Sequence, residues 1–393
     1  MRESWRWFGP NDPVSLDEIR QTGATDIVSA LHDIPIGKAW PREKVAAHRA
    51  LIEAGNVPGS QLEWSVVESI PVHDDIKLAA QGSGAYTDAW IESMENLAAE
   101  GIKTICYNFM PVIDWTRTDL RYQLPNGAFA LRFDQDRFAA FDLFILQREG
   151  AENDYRETEI ARAAATHAGM SDEEIALLTQ TIIAGLPGKM TDAYSLEDFR
   201  AALARYANVD HDTLRTNLVR FLNRILPVAE KLDVRLAIHP DDPPWDMFGL
   251  PRVICTPDDL EALFAAAPSE NNGITLCVGT YGSRPDNDLP QMARDYRDRI
   301  HFAHLRGVSR DTDKPRTFIE ASHLDSDIDM VSVIRNLLEN ENANQREIFI
   351  RPDHGHLMMG DVSKASNPGY SAIGRMKGLA EIRGVVRALS AID

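Results

Sequence analysis

The stretch "IFIRPDHGH", Ile348 to His356, decides how the chain is read. Ile348, Phe349, Ile350 and Arg351 have the pattern of a strand, and Pro352 ends it. Asp353, His354 and His356 follow at once, with Gly355 between the histidines. Side chains of this kind bind metals and move protons. A chain that sets them where a buried strand ends is expected to have partners for them at the ends of other strands.

Working outward, short apolar runs of the same type recur. They are "TDIVSAL" (25–31), "EWSVVES" (63–69), "IKTICYNF" (102–109), "VRLAIH" (234–239), "ITLCVGT" (274–280), "IHFAHL" (300–305), "TFIEASHL" (317–324) and "REIFIR" (346–351). Most are continuously apolar, as in parallel strands covered on both faces. Helical patterns lie between most of them. "REKVAAHRALIEAG" and "TDAWIESMENLAAEG" each reach a glycine, Gly55 and Gly101, suited to a helix C-terminus. "TLRTNLVRFLNRILPVAEKL" carries Leu214, Leu218, Phe221, Leu222, Ile225 and Leu232 at helical spacing, and Pro227 is expected to kink it. In "TPDDLEALFAAA" Thr256 is the expected N-cap, with Pro257 in the first turn. "DIDMVSVIRNLLEN" precedes the eighth run, and "YSAIGRMKGLAEIRGVVRAL" closes the chain.

Eight runs with interleaved helices predict an α/β fold, a (β/α)8 TIM barrel formed as a single domain over residues 1–393. Two segments fit poorly. "RGVSRDTDKPR" between the sixth and seventh runs has no helix signal. A long excursion after the third run, residues 119–212, holds helices of its own, among them one opened by a Ser171/Glu174 capping box and one by "SLEDFRAALARYA". It is expected to be a helical insertion, a cap or a dimer element.

The bulk numbers narrow the classes. The formal net charge of −19 argues against a nucleic-acid or anionic-membrane surface, though not against a small anionic substrate held by local cations. Three cysteines, Cys106, Cys255 and Cys277, make no disulfide framework. The N-terminal "MRESWRWFGPND" has no apolar signal core, and no run approaches the ~18 residues of a membrane span. A reduced cytoplasmic enzyme is expected.

A barrel collects its chemistry where its strands end. The fourth run ends in His239, the fifth carries Cys277, the sixth carries His304, and Asp353 and His354 follow the eighth. Singly, each has a structural reading: Cys277 as a small core residue, either histidine as a satisfied rim group, Asp353 as a turn former. Together, two imidazoles, a thiol and a carboxylate at one end of four strands make a ligand set for a divalent metal. The thiolate favours Zn, Fe(II) or Co over Mg or Ca. His354 is placed for proton transfer or for supporting a ligand, while His356 reads as loop structure. Tyr370, after the turn Asn367-Pro368-Gly369, reads as a packing residue or as a proton donor or acceptor on a lid. Arg6 and Trp7, which precede the first run and are expected to fold over or under the barrel, and His32, Asn108 and Arg306 are candidates for holding substrate, with Asp114 and Arg117 nearby. No GxGxxG, Walker A or GxSxG pattern is present.

Longer segments carry a resemblance. "WRWFGPNDPVSL", "VSALHDIPIGKAWP", "EWSVVESIPVHDDIK", "ICYNFMPVIDWTRTDL", "LAIHPDDPPW", "HFAHLRGV", "RPDHGH" and "NPGYSAIGRMKGLAEIRG" together resemble the D-mannonate dehydratase family over essentially the whole chain. The resemblance implies a barrel of the xylose-isomerase-like kind that uses Mn(II) or Fe(II). It implies conversion of D-mannonate to 2-dehydro-3-deoxy-D-gluconate and water, in glucuronate breakdown. The implied metal ligands are His239, Cys277, His304 and Asp353, and the implied proton-transfer residues are His354 and Tyr370, with acid and base roles open. A homo-oligomer, a dimer, is expected. Three other readings are separable by assay. A sugar or uronate isomerase would release no 3-deoxy-2-keto acid. A metal-dependent endonuclease would need a basic groove. A sugar-acid binding protein would show no turnover.

Overall fold

The computed structural model describes residues 1–184 and 195–392; residues 185–194, within the expected insertion, lie outside the described residues. The described strands are β1 (Arg2–Arg6), β2 (Asp26–Ser29), β3 (Glu63–Glu68), β4 (Thr104–Tyr107), β5 (Asp119–Gln123), β6 (Phe129–Phe133), β7 (Arg235–Ile238), β8 (Asn272–Cys277), β9 (Ile300–His304), β10 (Gly307–Arg310), β11 (Phe318–Ala321) and β12 (Phe349–Arg351). Eight of them close a parallel barrel in the order β1-β12-β9-β8-β7-β4-β3-β2. Each barrel strand is followed by a covering helix, from Leu16–Thr22 after β1 to Ala372–Ile392 after β12. The expected (β/α)8 architecture is therefore present.

The barrel is built as its apolar runs require. Val28, Val66, Cys106, Ala237 and Phe302, from five strands, fill the interior, with Phe349 packed against them. Cys106 is thus a core residue. The alternate side chains meet the helices. The longest of the described helices, His211–Leu232, buries Leu214, Leu218, Phe221, Leu222, Ile225, Leu226 and Ala229. Each large apolar side chain removed from water there contributes about 1.5–3 kcal/mol. The helix is continuous through Pro227. Thr256 caps its helix with a reciprocal Asp259 bond, and Pro257 sits in the first turn. Ser171 and Glu174 exchange backbone bonds as expected.

Three expectations need correction. First, the barrel opens with "RESWR", so Arg6 ends a barrel strand instead of preceding the barrel. The strand is masked in sequence by its polar residues. Here each finds a partner: Arg2 with Asp26 and Glu63, Glu3 with Arg383, Ser4 with the Ile350 carbonyl, Arg6 with Glu68. Second, the run at 317–324 does form a strand, β11, but outside the barrel. Antiparallel β10 and β11 pair with β6 and β5 in a separate four-stranded sheet, ordered β10-β11-β6-β5. The helix missing between 307 and 317 is explained, because antiparallel neighbours need no crossover. Third, the excursion is not wholly helical. It begins with the β5–β6 hairpin, and helices such as Glu157–Ala168 and Asp172–Ala184 follow.

The opening motif is held by a close crossing of two backbones. Gly355 donates to the Gly369 carbonyl at 2.8 Å, and its Cα faces the backbone of Gly374 and Arg375 at the start of the last helix. A Cβ at Gly355 would overlap that backbone, and one at Gly374 would overlap the His356 backbone. Only glycine at both positions permits the contact. Gly355→Ala is expected to destabilise the fold by about 1–3 kcal/mol, as overpacking against unyielding atoms does. A melting temperature equal to that of the parent would show that the crossing can open without cost.

Candidate metal and proton-transfer site

The C-terminal ends of the barrel strands converge as the strand register demands. Cys277 on β8 pairs with His304 on β9, and His304 pairs with Arg351 on β12. His239 directly follows β7. One ligand atom each from His239, Cys277 and His304 lies within 4.8 Å of the others. The donors suit a metal. His239 Nδ1 lies 2.7 Å from the Pro240 carbonyl, which takes its hydrogen and leaves Nε2 as an acceptor. His304 Nε2 is buried and makes no hydrogen bond among the described residues. Burial, and then Arg351, push the His304 imidazole well below its usual range, so the ring is neutral, as ligation requires. Burial and Asp353 raise the Cys277 thiol to about 12.

Asp353 stands beside these three and is not one of the close trio. Its Oδ2 is 3.7 Å from Cys277 Sγ, and its Oδ1 is 3.8 Å from His304 Nδ1. Its oxygens also meet Arg351 at 2.6 Å and Arg306 at 2.8 Å. A left-handed backbone at Asp353, φ 59°, produces the bend after Pro352. That bend lets Asp353 and His354 both face inward.

These pairs belong to a longer line of buried charges in which cations and anions alternate. Arg6 is 3.9 Å from Glu68, and Glu68 is 2.9 Å from Arg351. Arg351 and Arg306 flank Asp353. Arg306 also meets Glu320, and Glu320 is 2.8 Å from Arg117, which grips Asp242 at 2.7 Å. Burial alone would raise each carboxyl. The arginines outweigh it, holding Glu68 at about 2 and Asp242, Glu320 and Asp353 below their usual range. Thr280 joins Asp242 (2.9 Å) to Cys277 (3.0 Å).

The two histidines of the opening motif have separate partners on one residue. His354 Nδ1 is 2.8 Å from Glu320 Oε2, and His356 Nε2 is 2.9 Å from the Glu320 backbone oxygen. His356 is therefore a structural tie, as expected. Tyr370 is buried, with its ring edge-on to His354 at 4.9 Å and to Phe8 at 4.8 Å. Burial raises its phenol to about 12, so the hydroxyl is protonated at neutral pH.

The candidates for substrate contact divide. Arg6 Nη1, His32 Nε2 and Glu68 Oε2 are buried without hydrogen-bond partners among the described residues. Arg6 faces Glu68, and His32 packs near Phe8. Trp7 turns the other way and stacks on His48 of the helix Arg42–Glu53. Asn108 is half-buried directly after β4. Arg306 directs its guanidinium to Asp353, Glu320, Asp242 and Thr280. Residue-by-residue reading missed Glu68, Asp242 and Glu320. One signal was present for two of them: Glu68 closes an apolar run, and Asp242 stands in the "HPDDPP" that follows one.

The profile of the D-mannonate dehydratase (UxuA) family matches residues 1–393. The chain belongs to the D-mannonate dehydratase family. Mannonate dehydratases of Brucella canis and Brucella melitensis biotype 2 are 53% and 52% identical to it over 394 residues, covering 100% of this chain and 98% of each relative. The crystal structure of mannonate dehydratase from Streptococcus suis serotype2 superposes with a TM-score of 0.79 at 34% identity, covering 100% of this chain and 95% of that one. Among the described residues no helix is long and apolar enough to cross a membrane.

Cys277→Ser keeps the size of the side chain and replaces sulfur with a poorer donor for a soft or borderline metal. The variant is expected to fold with a parent-like circular dichroism spectrum and to retain well under half of the bound metal by elemental analysis. Full metal content would remove Cys277 from the ligand set.

Proposed function

We propose that this chain dehydrates D-mannonate to 2-dehydro-3-deoxy-D-gluconate, with a divalent metal, Mn(II) or Fe(II), held by His239, Cys277, His304 and Asp353. The observation that carries the reading is the trio of ligand atoms set against a charge-balanced frame. Four arginines (6, 117, 306, 351) face four carboxylates (68, 242, 320, 353), so 4 − 4 leaves the frame neutral. A divalent ion with one thiolate then leaves one positive charge, which the carboxylate of a sugar acid cancels. The same sum disfavours a neutral sugar.

The reaction breaks the C2–H bond and the C3–O bond. A hydrogen beside a carboxylate is hard to remove because the charge left behind is unstable, and the bound metal supplies Lewis-acid stabilisation of that charge. His354 and Tyr370 supply the two proton transfers, one accepting the C2 proton and the other protonating the C3 hydroxyl as it leaves. The enol that results becomes the keto acid without further assistance. Arg6, whose Nη1 faces Glu68 without a hydrogen bond among the described residues, and His32 are suited to holding the substrate's oxygens. Arg306 supports Asp353 and Glu320, which turns its donors away from substrate.

The test is anaerobic incubation of the metal-reconstituted protein with D-mannonate, with the product identified by NMR. A 3-deoxy-2-keto acid and loss of the C2 proton signal are expected; an aldose–ketose pair would mean isomerisation instead. Tyr370→Phe removes only the hydroxyl and is expected to lower kcat roughly 10²–10⁴-fold with metal retained. A kcat within a few-fold of the parent would reduce Tyr370 to packing.

Asp353 and His354 are expected to separate by phenotype although they are neighbours. Asp353→Asn should weaken metal binding, and excess Mn(II) should restore part of the rate. His354→Asn should keep its metal and bind D-mannonate, yet turn it over very slowly at every metal concentration. Rescue of the His354 variant by Mn(II) would make it a metal-site residue.

A further inference from the structure

The structure assigns Glu320 a part in the reaction as a positioning residue: its carboxylate, locked by Arg117 and Arg306, holds His354 with the hydrogen on Nδ1, so that Nε2 is the nitrogen presented to substrate. The inference rests on the reading of His354 as a proton-transfer group and adds which of its nitrogens meets the substrate.

The two oxygens of Glu320 are used differently. Oε1 takes Arg117 Nε at 3.0 Å, Arg117 Nη2 at 2.8 Å, and Arg306 Nη1. Those N–H groups leave Oε1 no further capacity. Oε2 faces His354 Nδ1 at 2.8 Å. An ionised carboxylate only accepts, so the hydrogen in that bond belongs to Nδ1. Proton exchange with substrate is then left to the other ring nitrogen. That nitrogen, Nε2, lies 4.0 Å from Asp353 Oδ1, on the side of the proposed metal ligands.

The ring has little room to turn over. Tyr370 and Trp115 meet it edge-on, at 4.9 Å and 6.1 Å between centroids. A Cβ at Gly369 would come within 2.8 Å of His354 Cγ. The carboxylate is fixed in turn. Asp242 grips Arg117 through two bonds, at 2.7 and 3.1 Å, and His356 ties the Glu320 backbone to the same segment as His354. Glu320 belongs to β11, in the sheet outside the barrel, so the accessory sheet reaches His354 through this side chain.

Glu320→Gln tests this with little change of shape. The arginines need an acceptor where Oε1 stands, so the amide nitrogen falls against His354 Nδ1 and drives the hydrogen to Nε2. An isosteric acid-to-amide change of this kind in the serine-protease triad lowers kcat about 10⁴-fold through the wrong tautomer. Here kcat is expected to fall 10²–10⁴-fold, with metal content and KM within a few-fold of the parent. The double variant Glu320→Gln/His354→Asn should be no slower than His354→Asn alone, since Glu320 acts through that ring. A double variant slower by the full Glu320 factor, or an unchanged kcat in Glu320→Gln, overturns the inference. A parent-like kcat in His354→Asn overturns instead the reading of His354 beneath it. If Glu320→Gln does not fold, the parent protein decides. With Zn(II) bound and histidines ¹⁵N-labelled, the His354 resonance, assigned by its loss in His354→Asn, should show hydrogen on Nδ1. Hydrogen on Nε2 overturns the proposal.

Discussion

Everything at the mouth of this barrel depends on the buried carboxylate of Asp353 between Arg351 and Arg306. An isolated carboxylate taken out of water costs several kcal/mol even after the protein relaxes. Two guanidinium groups in contact offset that cost, but each is buried too and needs a second anion. Arg351 finds Glu68, and Arg306 finds Glu320 and Asp242. The alternation therefore continues until it reaches Arg6 at one end and the Arg117–Asp242 pair at the other. No member can be removed singly without leaving a buried charge uncompensated. A rigid polar frame results, with the donors on His239, Cys277 and His304 beside it.

The frame also explains the extra secondary structure. A parallel barrel brings strand ends together, and it supplies Arg6, Glu68, His239, Cys277, His304 and Arg351 from the ends of six strands or the residues just after them. It cannot supply everything from one ring. Glu320 arrives on an antiparallel strand, and Arg117 arrives just before β5 of the same sheet. The accessory sheet is thus electrostatically continuous with the barrel mouth, and the close glycine crossing fixes the segment that carries His354 and Tyr370 against it.

Much of this was legible in the residues. Continuous apolar runs are the mark of strands covered on both faces, and their ends located His239, Cys277, His304 and Asp353. The longer segments resembled one family, whose profile spans the chain. Glu68, Asp242 and Glu320 were harder to see. In a sequence a charged residue ordinarily reads as solvated surface, because its partners lie far away: Arg117 and Glu320 are 203 positions apart. The first barrel strand was hidden for the same reason, since "RESWR" looks exposed until Asp26, Glu63, Glu68 and Arg383 are placed beside it.

The sequence by itself determined what depends on neighbours along the chain: the period of each element, the helix caps at Ser171 and Thr256, and the donor atoms offered where apolar runs stop. The tertiary structure alone decided which runs close the barrel. The 317–324 run and "RESWR" exchange places because a strand's position in a sheet is set by its pairing partner, not by its own hydrophobicity. It alone decided which charges neutralise one another, because Coulombic energy depends on separation in space. For that reason the question posed by "RPDHGH" has its answer in Glu320, whose carboxylate receives His354 while its backbone receives His356.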